Sequence, residues 1–400
     1  MSLINFLNFQ ASTILNILKC KSSFVLKDLV GINSPIEAIQ NHLLLDSVDG
    51  VYAIGICGMG GIGKTTIAMA LYEQISHRFT ASCFIDDVSK IYRLDDGPLD
   101  AQKQILLQTL GIEYHQICNR YSATNLIRSR LCREKALLIL DNVDQVEQLE
   151  KIAVHREWLG AGSRIIIISR DEHILKGYGV DVVYKVPFFN WADSHKLFCR
   201  KAFRHEKIIM SNYQNLANEI LNYANGLPLA ITVLGSFLFG RNVTEWKSAL
   251  ARLRESPDNE VMNVLQLSFD ELKDTEKEIF LHIACFFNFK FEKYVKNVLN
   301  CCGLYADIGL RVLVDKSLIT ISINNDIQIM FQQFGTIIQM HSMLEELGRK
   351  IVQEKASKEQ RKWSRLWSKK QLYNVTMESM VKLQFRNKKI YFHFYKNYKY

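Results

Sequence analysis

The stretch Gly58-Met59-Gly60-Gly61-Ile62-Gly63-Lys64-Thr65-Thr66 decides the fold. It fits the phosphate-loop pattern G-x-x-x-x-G-K-[ST], with Gly58, Gly63, Lys64 and Thr65 in the required places. The run before it, Val51 to Cys57, is mostly apolar and β-prone, as a buried strand should be. The run after it, from Lys64 to about His77, carries Ile67, Ala68, Leu71 and Ile75 at helical spacing. The glycines therefore sit where a strand turns into a helix. Glycine lets a backbone fold tightly around an anion without Cβ clashes. The exposed N–H groups and the positive end of the helix then hold phosphates. In that geometry Lys64 reaches the β- and γ-phosphates and Thr65 ligates Mg²⁺. The bland alternative is a Gly-rich turn followed by a chance Lys-Thr; strand, spacing and helix together weigh against it.

Downstream, Ala136-Leu137-Leu138-Ile139-Leu140-Asp141 is an apolar strand ending in a carboxylate. A buried strand ending in Asp is a weak signal alone. Paired with a phosphate loop upstream it reads as the Walker B element, with Asp141 placed to hold Mg²⁺ directly or through water. The next residue is Asn142, an amide that cannot take a proton from water. Ser82 to Asp86 reads as another strand, and Gly162 to Arg170 as a fourth. Arg170 ends that strand on the same sheet edge and is a candidate γ-phosphate sensor, with an ordinary surface arginine as the equal alternative. Helices are expected at Leu99–Leu110 and Asn125–Cys132. Strand–helix alternation of this kind predicts a parallel sheet flanked by helices.

After Val186-Pro187 the strand pattern stops. Trp191–Phe203, Tyr213–Asn225, Leu227–Phe239 and Thr244–Leu253 read as helices. Gly226 ends one of them and Pro228 starts the next. Thr275–Phe287 is a strongly apolar helix, residues 304–315 form another, and Ser317–Ile323 alternates like a strand. Helices followed by a hairpin suggest a winged helix. Met343, Leu344, Leu347 and Ile351 mark one more amphipathic helix. The expected architecture is an α/β P-loop NTPase domain with a parallel sheet (28–190), an all-α helical domain (191–255) and a winged-helix domain (256–355). An N-terminal linker (1–27) and a basic aromatic tail (356–400) flank them.

Composition bounds the partners. The net charge of +9 is concentrated in residues 361–400, which hold eleven Lys and Arg against one acidic residue, Glu378; the other 360 residues are near neutral. Tyr391, Phe392, Phe394, Tyr395, Tyr398 and Tyr400 interleave with lysines in that tail, a pattern that can stack on single-stranded nucleic acid. It equally reads as sequence with no selected role, and the neutral body argues against nucleic acid as a partner. The nine cysteines include no C-x-x-C pair and mostly sit in apolar runs. They are expected reduced, which fits a cytoplasmic or nuclear setting. The stretch from Met1 to Leu18 is interrupted by Asn8 and Asn16 and lacks a basic n-region, so no signal peptide is expected. No run of eighteen apolar residues predicts a membrane span.

Taken together, the blocks Gly58–Thr66, Leu137–Asp144, Gly162–Arg170, Val186–Phe203, Gly226–Ala230, Leu281–Phe287 and Met340-His341-Ser342 resemble the NB-ARC module of plant disease-resistance proteins. The resemblance is nearest to the class with an N-terminal TIR domain and runs from about Asp28 to about Tyr373. It implies a switch that ADP holds closed and ATP opens, with other immune-receptor or signalling proteins as partners. Carried over, Val30 and Ile32 would flank the adenine and Pro228 would pack near it. Gly58, Gly60, Gly61, Ile62, Gly63, Lys64, Thr65 and Thr66 would hold the phosphates. Thr65 and Asp141 would hold Mg²⁺, Arg170 would sense the γ-phosphate, and His341 would touch the β-phosphate of ADP.

Three departures stand out. Ser342 replaces the usual Asp of Met-His-Asp, Asn142 replaces a frequent second Asp, and Ile329 to Ile338 reads as an insertion. The TIR domain and leucine-rich repeats of the family are not seen, so the chain reads as a truncated member. Two other readings stay open: a turnover ATPase of the AAA+ type, and a truncated relative that does not signal. Asn142 and the helical plus winged-helix regions favour the switch.

Overall fold

The computed structural model describes residues 29–111, 117, 119–204, 211–255, 258–323, 335–354 and 364–367. The expected N-terminal linker (1–27) and nearly all of the basic tail lie outside them. The chain divides into two compact units, Met1–Ser256 with Asp315–Ser317, and Pro257–Val314 with Leu318–Tyr400.

The first unit opens with helix α1 (Asn33–Leu43) and is built on five strands: β1 (Tyr52–Cys57), β2 (Ala81–Ile85), β3 (Ala136–Leu140), β4 (Arg164–Ser169) and β5 (Val182–Lys185). They form one sheet in the order β2-β3-β4-β1-β5, and every pairing is parallel. Period-2 alternation shows why it is covered on both faces. Ala53, Leu138, Ile165 and Ile167 belong to one core, and Ile54, Ile56, Leu137, Ile166 and Ile168 to the other. Between the strands run α2 (Lys64–Ile75), α3 (Val88–Tyr92), α4 (Gly97–Leu110), α5 (Arg120–Leu131), α6 (Val146–Lys151) and α7 (Glu172–Tyr178). The helix expected at Asn125 starts five residues earlier, because Asn119 caps it by accepting from the Ser122 N–H at 2.9 Å. β5 was not foreseen: it is a four-residue edge strand with no fully buried residue, and its apolar run Val182-Val183-Tyr184 is too short to stand out.

One buried charge anchors the sheet's other end. Arg164, fully buried, donates from Nε to Leu43 O (2.5 Å), from Nη2 to Leu44 O (2.5 Å) and Ser47 O (2.9 Å), and from Nη1 to Ser163 O (2.9 Å). It thereby satisfies carbonyls at and beyond the C-terminus of α1, where the helix dipole also favours a cation.

The same unit ends in four helices, α8 (Trp191–Phe203), α9 (Gln214–Ala224), α10 (Pro228–Leu238) and α11 (Val243–Glu255). Their core is aromatic. Trp246, 1% exposed, meets Phe198, Phe203 and Tyr213 at ring-centroid distances of 5.8, 5.5 and 4.8 Å, and its indole N–H donates to Leu238 O at 3.1 Å.

The second unit carries α12 (Asn259–Asp270), α13 (Asp274–His282), α14 (Glu292–Cys301), α15 (Ala306–Asp315) and α16 (Ser342–Glu354) around the strands β6 (Lys290–Phe291), β7 (Thr320–Ile323) and β8 (Thr336–Gln339). These three pair antiparallel in the order β6-β8-β7. The helix expected to run to Phe287 stops at His282, and Ile283–Phe287 is a π-helical turn. The insertion reading is corrected in part. Thr336, Ile337 and Ile338 are the central strand of this sheet, with Ile337 and Ile338 buried; residues 329–334 lie outside the described residues. Asn288 secures the end of β8, donating to Met340 O (3.1 Å) and Glu345 Oε2 (2.7 Å) and accepting from the Met340 N–H (2.8 Å).

Candidate functional site

β1 ends at Cys57 and the phosphate loop begins at once. Gly61 (φ +78°) and Gly63 (φ +98°) hold backbone conformations that side-chain-bearing residues rarely adopt, and Gly63 is the N-cap of α2. Lys64 is the first residue of that helix and is 9% exposed. Its Nζ donates to Gly58 O (2.8 Å) and Met59 O (3.0 Å). Burial, reinforced by the nearby Arg170 guanidinium, pushes the ammonium down to about 8. A poorly solvated cation facing a second cation is the environment that a bound anion relieves.

Thr65 Oγ1 donates to Asp141 Oδ2 at 2.7 Å, which joins the start of α2 to the end of β3. The other carboxylate oxygen accepts from the Asn142 N–H at 2.9 Å. Burial raises the Asp141 pKa, against the pull of the Thr65 and Asn142 hydrogen bonds. A hydroxyl and a carboxylate converging at one point suit a hard cation that takes oxygen ligands, so the residues fit Mg²⁺. Asn142 has φ +54° and its side-chain amide donates to Asp87 Oδ1 at 2.7 Å, so it is engaged away from the loop.

Two cavities meet here. One of 480 Å³ is lined by Gly60, Gly61, Gly63, Lys64, Thr65, Thr66, Asp141 and Arg170. A second of 750 Å³ is lined by Val30, Ile32, Ile62, Pro187 and Phe189. Gly63, Thr66, Pro228 and Thr232 line both. A polar pocket with cations thus adjoins an apolar one, the layout that a phosphate chain attached to a flat base requires. Gly58 lines neither, and contributes through its carbonyl to Lys64. His341 belongs to the second unit, where it precedes α16; its Nδ1 accepts from the Met343 N–H at 3.2 Å.

Sequence reasoning passed over Leu229, whose N–H donates to Gly61 O at 3.2 Å, and Asp86, which lines the polar cavity. Asp86 was legible in principle: like Asp141, it is the carboxylate that follows a parallel strand. Leu229 was not, because nothing local ties the start of α10 to a loop far upstream.

Residues 32–208 match the NB-ARC domain family, and residues 273–356 match the winged-helix domain of Roq1-like disease resistance proteins. Among curated relatives, the disease resistance protein RUN1 of Vitis rotundifolia is 38% identical over 351 residues, covering 88% of this chain and 25% of that protein. RPV1 of the same species is 36% identical, covering 88% and 24%. The TMV resistance protein N of Nicotiana glutinosa is 35% identical, covering 89% and 30%. The chain thus spans about a quarter to three tenths of the length of these relatives. Among solved structures, the Aeropyrum pernix ORC2 protein (ADPNP-ADP complexes) has a TM-score of 0.46 and 14% identity, covering 82% of this chain and 95% of that one. With the phosphate loop, the parallel sheet and both family matches in agreement, the chain belongs to the NB-ARC family of plant disease-resistance proteins, a nucleotide-binding P-loop domain followed by a winged helix.

Proposed function

We propose that this chain is the nucleotide-operated switch of a plant immune receptor, holding ADP in one state and ATP with Mg²⁺ in the other. The observation that carries this is the shared cavity wall: Gly63, Thr66 and Pro228 join an apolar pocket to one containing Lys64, Thr65, Asp141 and Arg170. In this reading Val30, Ile32 and Pro228 seat the adenine, and the backbone from Gly60 to Thr66 with Lys64 holds the phosphates. Thr65 and Asp141 hold Mg²⁺, which supplies charge neutralisation at the phosphates. Arg170 reads the γ-phosphate. Asn142, with its amide tied to Asp87, provides no base beside Asp141, which supports a slow reset over rapid turnover. Other immune-receptor or signalling proteins would receive the conformational change. A cytoplasmic or nuclear site of action accords with that role, and no described helix is long and apolar enough to cross a membrane.

The test is to purify the chain, denature it and identify the released nucleotide by chromatography, beside Lys64→Ala. Stoichiometric adenine nucleotide from the wild type and none from the variant is expected, since Lys64 is the point charge on the phosphates. Equal amounts of released nucleotide from the two chains would refute the assignment.

A further inference from the structure

The nucleotide reading leaves one acidic residue of the polar cavity without a task. β2 and β3 pair with Ile85 opposite Leu140, and the Asp141 N–H donates to Ile85 O at 2.9 Å. The next residues, Asp86 and Asp141, therefore leave adjacent strands side by side. Asp86 lines the same 480 Å³ cavity as Lys64, Thr65 and Arg170 and is exposed within it. Its neighbours are committed elsewhere. Asp87 accepts from the Lys90 N–H (3.3 Å), capping α3, and from Asn142 Nδ2 (2.7 Å). Among the described residues, Asp86 has no hydrogen bond or ion pair that would hold it back from a ligand.

Strand order supplies a direction. Along β2-β3-β4-β1, the C-terminal strand ends present Asp86, Asp141, the Ser169-Arg170 pair and the phosphate loop, in that order. A nucleotide whose β-phosphate sits in the loop and whose γ-phosphate faces Arg170 points its phosphate chain along this row. In-line displacement needs the attacking water on the side of the γ-phosphorus away from the β-phosphate, which is the side of Asp86.

We propose that Asp86 is a catalytic residue for ATP hydrolysis at this site, its carboxylate accepting a hydrogen bond from the attacking water and aiming the water oxygen at the γ-phosphorus. This rests on the reading of the cavity as an ATP site. The water oxygen forms the new bond to phosphorus. The bond from phosphorus to the bridging oxygen breaks, and ADP leaves with that electron pair. Both water protons depart on the phosphate product, and Asp86 ends the step as it began. A short side chain at the end of a neighbouring strand thus takes the orienting role that Asn142 does not fill.

The test uses the full chain, Mg²⁺ and ATP, with Asp86→Asn and Asp86→Glu. ADP affinity is measured by titration and hydrolysis under single-turnover conditions. Asp86→Asn should bind ADP within twofold of the wild type and hydrolyse ATP about 10²-fold more slowly. Asp86→Glu, which keeps a carboxylate, should recover about tenfold of that loss. A wild-type rate in Asp86→Asn overturns the inference. So does a fall in ADP affinity that matches the fall in rate, and so does a wild-type chain that binds ATP but never cleaves it. A wild-type chain that binds no ATP at all overturns the nucleotide reading itself.

Discussion

Gly61→Ala isolates what the phosphate loop demands of its backbone. Gly61 has φ +78°, where an L-residue costs about 1–2 kcal/mol. A Cβ there would lie 2.7 Å from Leu229 Cβ and 2.8 Å from its Cδ2, closer than packed carbons approach. Overpacking of that kind costs about 1–3 kcal/mol, so the substitution should destabilise the native loop by roughly 2–5 kcal/mol in all. Gly63→Ala is the matched control. It is also left-handed, at φ +98°, but its Cβ would meet nothing within 4 Å. If the loop relieves the strain by opening, ADP affinity drops, and 2 kcal/mol corresponds to about a 30-fold loss. The assay is ADP titration by calorimetry, with thermal unfolding of the nucleotide-free chain. Gly61→Ala should lose more stability than Gly63→Ala; Gly63 lines both cavities, so its variant is a control for stability alone. Adding Leu229→Ala should recover only part of the difference, because its own Cβ remains at 2.7 Å. Equal stability of the two nucleotide-free glycine variants, or ADP affinity in Gly61→Ala within threefold of the wild type, would refute the steric argument.

Other substitutions probe separate parts of the chain. Asp141→Asn should retain ADP but lose much of its Mg²⁺ dependence, since Thr65 and Asp141 converge at 2.7 Å; an unchanged Mg²⁺ response in ADP titrations removes Asp141 from the cation. Arg164→Met strands the carbonyls of Leu43, Leu44 and Ser47 and should destabilise the chain by about 3–5 kcal/mol, measured by urea unfolding. His282 is 8% exposed, and burial, with Arg365 beside it, lowers its pKa from 6.5 to about 4. A depressed histidine contributes stability that is complete above pH 6.5 and lost as the pH falls through 4. At about 1.4 kcal/mol per pH unit, that amounts to roughly 3 kcal/mol. His282→Phe should therefore lose less stability than the wild type between pH 7.5 and 4.5, and parallel losses in urea titrations would contradict this.

Much of the nucleotide-binding half was readable because its signals are local. The phosphate loop is one contiguous run, and Leu137 to Leu140 and Ile165 to Ile168 are apolar on both faces, as only a doubly covered strand needs to be. β5 escaped because its apolar run is three residues long and only partly buried, ending in the exposed Lys185. Ile337 and Ile338 were misread as inserted because similar short apolar segments recur around them, and only antiparallel pairing to β6 and β7 distinguishes the one in the sheet. α12 and α14 went unremarked, although both are amphipathic; Asp258 caps the first, accepting from the Glu260 N–H at 2.9 Å. In the site, the residues of the loop and of β3 could be named from sequence, whereas the Leu229–Gly61 bond and the alignment of Asp86 with Asp141 depend on strand order and helix docking.

The guanidinium of Arg164 also acts on the arrangements that the chain must avoid. An apolar residue at the start of β4 would tolerate α1 sliding or rotating against the sheet, because oily contact has no direction. A cation that makes four directed hydrogen bonds does not tolerate it. Only one docking of α1 brings Leu43, Leu44 and Ser47 carbonyls onto it, and every other leaves a charge in a dry interior. Val30 and Ile32 lie just ahead of that helix, so the same discrimination fixes the wall of the apolar cavity. The shape of the proposed base pocket is thus guarded from the far end of the helix, by a residue that lines neither cavity.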